Sequence, residues 1–154
     1  MSADTVTMPD TRELVPMLGG LIGRDLEITA TALADPTEHV DRTAPYVDDD
    51  DRPVVHAGAD LAFAMYAGAA LAMIPKARAE DAIRSGTADE DLMEIYWEVL
   101  NVLTRIINSA NEVHVRLVPG GHSTAEDLSS DRGGISFTVD IDGYGSGTLS
   151  FWHA

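Results

Sequence analysis

The run from Leu61 to Ile74 (LAFAMYAGAALAMI) constrains this chain more than any other segment. As a helix it is apolar nearly all round, so no side of it suits water. Its 14 residues fall short of the roughly 20 that a bilayer span requires. The run is therefore a core helix covered on more than one side. Its small residues (Ala62, Ala64, Ala67, Gly68, Ala69 and Ala72) let a sheet or another helix approach closely. Asp60 is placed to cap its start, and Pro75 bars its continuation.

Periodicity places the other elements around this helix. Met17, Leu18, Leu21 and Ile22 predict a helix over about 13–23, with Asp10 and Glu13 as a capping box and Pro16 confining its start. Residues 25–33 (DLEITATAL) alternate as a half-buried strand, and a polar connector follows Pro36. Residues 43–47 and 52–57 read as a hairpin with Asp48–Asp51 at its tip. Lys76–Arg84 predicts a short helix. Thr87-Ala-Asp-Glu90 reads as the capping box of the longest helix, which runs to about Asn111. Residues 113–117 form a strand and 122–134 a polar loop. Residues 135–141 and 148–152 form a closing hairpin around Gly143-Tyr-Gly-Ser-Gly147. Strands and helices are segregated, which predicts an α+β fold: a two-layer domain with long helices packed on a mainly antiparallel six-stranded sheet. Residues 1–10 read as a flexible tail and 11–154 as a single domain.

Composition removes several function classes. There is no cysteine, so disulfide scaffolds, zinc-thiolate sites and thiol nucleophiles are excluded. A formal charge of −16 repels phosphate backbones and anionic lipid, so neither nucleic acid nor membrane is an expected partner. Residues 1–10 lack a basic region followed by an apolar one, so no signal peptide is expected and a cytoplasmic location is.

The long helix carries the candidate chemistry. At 100° per residue, Glu94, Glu98, Asn101, Arg105, Asn108 and Glu112 fall within an arc of about 80°. Nearly every other position from Leu92 to Ile107 is apolar. Such a stripe is either the one solvated side of a core helix or a docking face. Glu98 and Asn101, one turn apart, pair a carboxylate that can hold a cation with a carboxamide that can orient water.

Other candidates read as structural. Asp48–Asp51 lacks calcium-loop spacing. His39, His56, His114, His122 and His153 form no i,i+4 pair. The Gly143–Gly147 run joins strands rather than opening a helix, so it is no phosphate cradle. Ser123, Ser129 and Ser130 have no nucleophile-elbow context. No cofactor or metal site of the chain's own is expected.

Residues 23–33 (GRDLEITATAL), PVVHAG leading into the alanine-rich helix, Glu98-Val-Leu-Asn101 on the long helix and the closing ISFTVDIDGYGSGTLSFW appear in an order that resembles the CheC/CheX/FliY chemotaxis phosphatase family, most like the single-site CheX branch. The resemblance spans about residues 11–153. It implies a domain that docks on a response-regulator receiver domain and hydrolyses its aspartyl phosphate, with Mg²⁺ supplied by that partner. It assigns Asn101 to positioning the attacking water and Glu98 to engaging the regulator's active-site lysine, as the catalytic pair, with Glu94, Arg105 and Asn108 on the docking face. The chain departs from the family motif at Glu94, where Asp or Ser is usual, and at Arg105-Ile106, where many members have Gly-Asn. A second motif is absent from the first helix, where Glu13 is followed by Pro16. A non-catalytic interaction or oligomerisation module with the same fold therefore stands as the alternative. The all-round apolar helix further predicts a homodimer, which would cover its remaining side.

Overall fold

The computed structural model describes residues 6–118 and 132–154. Residues 122–131 of the predicted loop over 122–134, with His122, Ser123, Ser129 and Ser130, lie outside them, as do residues 1–5 of the predicted tail. In chain order the elements are α1 (Thr11–Ile22), β1 (Leu26–Thr31), a 3₁₀ helix (Pro36–Arg42), β2 (Ala44–Val47), β3 (Pro53–Ala59), α2 (Leu61–Leu71), α3 (Lys76–Ser85), α4 (Glu90–Ala110), β4 (Arg116–Leu117), β5 (Gly134–Ile141) and β6 (Gly145–His153). The strands form one six-stranded sheet in the order β1-β5-β6-β3-β2-β4, antiparallel at every pairing. This is the α+β architecture that the segregation of helices and strands predicts.

The reciprocal Asp10/Glu13 capping box does open α1, and it sets the start at Thr11 rather than residue 13. Pro16 lies inside this helix, on its exposed side. There the Arg12 carbonyl, which Pro16 cannot bond, faces solvent instead of the core. For α4 the N-cap is Asp89, not Thr87. The Asp89 carboxylate accepts from the amides of Asp91 and Leu92, and Arg78 of α3 clamps it at 2.7 and 3.1 Å. A charged partner from a neighbouring helix favours one of two cap candidates that stand two residues apart. The polar connector after Pro36 is the 3₁₀ helix, which packs against β3.

The core lies between the sheet and the helical layer. Phe137, Val139, Leu149, Phe151, Ala57 and Ala59 face Phe63, Leu92, Tyr96 and Leu103. The glycine run of the closing hairpin serves this packing. The turn is only Asp142–Tyr144, and Gly145 and Gly147 already belong to β6. A Cβ at Gly147 would stand 2.2 Å from the backbone nitrogen of Phe63, so this glycine is what seats α2 on β6. Helix α2 is covered by α3, α4 and β6 of its own chain. These elements cover most of α2 and leave Leu61, Ala62, Tyr66 and Leu71 half-buried. Among the described residues no helix is long and apolar enough to cross a membrane.

Candidate functional site

Helix α4 buries Leu92, Tyr96, Val99, Leu100, Leu103, Ile106 and Ile107 and turns Glu94, Glu98, Asn101 and Arg105 to solvent. None of these four side chains has a hydrogen bond or ion pair among the described residues, so their polar atoms are available to a partner. Glu98 and Asn101 are three residues apart on one helical face, which brings a carboxylate beside a carboxamide.

Asn108 has a different task. Its amide donates to the Val115 carbonyl at 3.0 Å, and its oxygen accepts from the Val115 amide at 2.8 Å. This ties the end of α4 to the chain entering β4, so Asn108 offers no free amide to the docking face. The next residue of this kind, Asn111, bonds Thr7 in the same way, at 2.7 and 3.1 Å. Glu112 is exposed beyond the helix end.

The stripe is not bounded by core residues on both sides. Val102, whose spacing predicts burial, is half-buried. With Arg105 it forms one wall of a groove of about 430 Å³, and Met17, Gly20 and Leu21 of α1 form the other, with Glu13 at its edge. Of the exposed stripe it is Arg105, one turn beyond Asn101, that lines the groove. Sequence reasoning missed it, because its walls lie on two helices about 80 residues apart. The available signal is the i,i+4 pair Met17 and Leu21 on α1.

Two buried tyrosines hold this helix in place. Tyr46 of β2 donates its hydroxyl to the Leu100 carbonyl at 2.6 Å, immediately before Asn101. Tyr96 reaches back to the Arg42 carbonyl, also at 2.6 Å. Burial pushes both hydroxyls far above the usual tyrosine range, so they remain neutral donors. Asn101 thus projects from a rigid element rather than a loop.

The remaining candidates are internally satisfied or dispersed. Asp48 accepts the amides of Asp50 and Arg52, which hold its carboxyl below the usual range, while Arg52 pairs with Asp48 and Asp50 and Arg116 pairs with Asp51. No group of three or more His, Asp or Glu side chains that could hold a metal occurs among the described residues. His56 is buried and stacks on Trp152 at 5.7 Å on the sheet face opposite the core, where His39 of the 3₁₀ helix is also buried. His114 is exposed and His153 half-buried.

No protein-family model matches the sequence. No curated protein matches it either. Solved structures do match the fold. A chain of the FliM–SpeE complex from H. pylori aligns with 92% of this chain and 80% of its own length, at TM-score 0.59 and 10% identity. FliY from Thermotoga maritima aligns over 91% and 81%, at 0.53 and 12%. The FliM middle domain from H. pylori aligns over 92% and 83%, at 0.51 and 10%. The chain has the fold of the CheC/CheX/FliY family, with the branch unresolved at these identities.

Proposed function

We propose that this chain docks on a response-regulator receiver domain through the exposed face of α4 and hydrolyses its aspartyl phosphate. The observation that carries the reading is the pair Glu98 and Asn101, exposed, without partners among the described residues, and one turn apart on a helix pinned at Leu100. Phosphoryl transfer needs positioning and charge compensation more than covalent help. The Asn101 carboxamide accepts from a water through its oxygen and donates through its NH₂, which directs a water lone pair at phosphorus. The water oxygen forms the new P–O bond as the bond to the aspartate oxygen breaks, releasing inorganic phosphate. Glu98 accepts from the partner's lysine, and the Mg²⁺ of this reaction belongs to the receiver domain. The apolar groove between α1 and α4, reached through Arg105 one turn beyond Asn101, gives the partner a further surface.

A second reading, docking without catalysis, is favoured by Arg105. This exposed cation stands one turn beyond Asn101 and rims the groove. One experiment separates the two. Receiver domains phosphorylated with a small-molecule phosphodonor are mixed with the protein, and phosphate release and binding are both measured. Catalysis predicts that Asn101→Ala removes about 10²-fold of the acceleration at unchanged affinity. Glu98→Ala weakens binding by about 2 kcal/mol, roughly 30-fold, by stranding the partner's lysine. If Arg105 obstructs the partner, Arg105→Gly raises the rate. Binding with unaltered phosphate lifetimes in the wild type and all three variants establishes the non-catalytic module, and no binding to any receiver domain refutes both readings.

A further inference from the structure

Among the described residues no strand pairs with the outer edge of β1, and the α4 face does not use it. Its hydrogen-bonding phase is fixed: the Asp142 amide donates to the Asp25 carbonyl at 3.0 Å, and pairing continues unbroken from Leu26 opposite Ile141 to Thr31 opposite Ser136. Bonded pairs alternate in an antiparallel ladder. Residues 25, 27, 29 and 31 therefore turn their backbone toward β5, and Leu26, Ile28 and Ala30 turn N–H and C=O outward. Proteins usually blunt such an edge with proline, lysine, a bulge or brevity. The opposite edge, β4, has two residues, whereas β1 has six, with no proline, no lysine and no register break.

The chemistry beside this edge indicates what would pair with it. Glu27 lies directly opposite Asp140, and Asp25 and Asp142 follow at the end of the same ladder. Like charges facing each other across strands destabilise a sheet. None of the four is in an ion pair among the described residues, and the adjacent Arg24 is taken up by the Asp142 carbonyl and the Tyr144 ring. On the helical side, the edge opens into a depression of about 930 Å³ bordered by Leu26, Gly19, Val15 and Met73. Val15 and Met73 are the large apolar side chains exposed among the described residues, and Met73, 86% exposed, holds the left-handed φ of 58°.

We infer that β1 is a docking edge for an extended segment of another protein in which basic and apolar residues alternate, added as a seventh strand. Its main chain pairs with Leu26, Ile28 and Ala30. Its basic side chains fall on the Glu27/Asp140 face and its apolar ones on the Val15/Met73 side. On the outer side, Glu27 occupies a non-bonded pair position, where opposing side chains come closest. A second copy of this chain is a poorer occupant, because it would set Glu27 and Asp140 against their own kind.

The probe is a fluorescein-labelled octapeptide of alternating Lys and Val, with its Glu–Val counterpart as control, read by anisotropy and amide hydrogen exchange on the wild type. The expected result is saturable binding of the Lys–Val peptide alone, weakened by salt, with exchange slowed at Leu26, Ile28 and Ala30. Ala30→Pro removes one outward N–H and no bond to β5, so it should cut affinity at least 10-fold. Asn101→Ala should leave binding unchanged, which keeps this edge distinct from the α4 face. Three results overturn the inference: no binding at millimolar peptide, binding without protection of those three amides, or binding lost in Glu27→Gln but unaffected by Ala30→Pro. Self-association that Ala30→Pro abolishes would assign the edge to a second copy and equally overturn it.

Discussion

Gly68 of α2 is the position where one added methyl group tests the packing on which the α4 face depends. In an isolated helix, Gly→Ala is stabilising by about 1 kcal/mol. Here a Cβ would stand 2.6 Å from the Leu92 carbonyl oxygen and within 3.3 Å of its C and Cα. Ordinary contact begins near 3.4 Å, so α2 and α4 must part by about 0.8 Å. The obstacle is backbone, which cannot swing aside as a flexible side chain could. Overpacking of this kind costs about 1–3 kcal/mol, and a gap of 0.5–1 Å forfeits about a quarter to a half of each dispersion contact. Because the obstacle is backbone, the cost lies in the upper part of that range, about 2–3 kcal/mol; it exceeds the helical gain of about 1 kcal/mol, and Gly68→Ala should lose about 1–2 kcal/mol net. For a chain of this length that lowers Tm by roughly 2–8 °C. The displacement enters α4 at Leu92, about 14 Å along the axis from Asn101. Activity measured where the variant is still fully folded should therefore fall as well. Calorimetry with paired denaturant titrations checks the first statement, and a Tm equal to or above that of the wild type would refute the close-approach reasoning.

Two further outcomes follow from buried polar groups. Tyr46→Phe removes the hydroxyl that bonds the Leu100 carbonyl and should lower stability by about 1 kcal/mol, seen as a shifted denaturant midpoint at unchanged slope. Because that carbonyl precedes Asn101, the same variant should loosen the face, seen as faster amide exchange around residue 101. His39, whose buried ring nitrogens have no hydrogen-bond partner among the described residues, has its pKa lowered chiefly by desolvation; Arg42 also lowers it, against the raising influence of Asp60 and Glu38. His153 is lowered too, by burial and by Arg132. The unfolded chain therefore takes up protons first. Stability is complete above about pH 6.5 and declines as pH falls below it, toward the depressed folded pKa. His39→Leu should flatten that decline in urea midpoints collected between pH 7.5 and 5, and an unchanged slope would contradict the assignment.

What the sequence reveals of this fold divides along the range of the interactions involved. The exposed stripe of α4 is visible because one helical period sorts Glu94, Glu98, Asn101 and Arg105 from the apolar residues around them. Asn108 sits on the same period, yet its amide is committed to Val115, seven residues on and past the end of the helix. Periodicity cannot separate an amide turned toward a partner from one that closes a helix end. The start of α4 is hidden in the same way: Thr87 and Asp89 both suit a cap, and Arg78 on another helix favours the carboxylate. Gly145 and Gly147 look like turn residues until α2 is laid against β6, because the groups that exclude a Cβ are Tyr66 and Phe63, about 80 residues earlier.

The same distinction bears on the candidate site. Glu98 and Asn101 are legible because their relation is local, one turn of one helix. The groove that would distinguish one partner from another is not, since Met17 and Leu21 meet Val102 and Arg105 only when α1 crosses α4. Under the proposed function, a motif match on α4 alone would measure the capacity to orient a water and hold a lysine, and partner choice would rest on the α1 side. Exchanging Met17 and Leu21 for polar residues should alter which receiver domains bind and leave the turnover of any that still does unchanged. If turnover falls with binding held constant, the two helices act on the reaction as one unit.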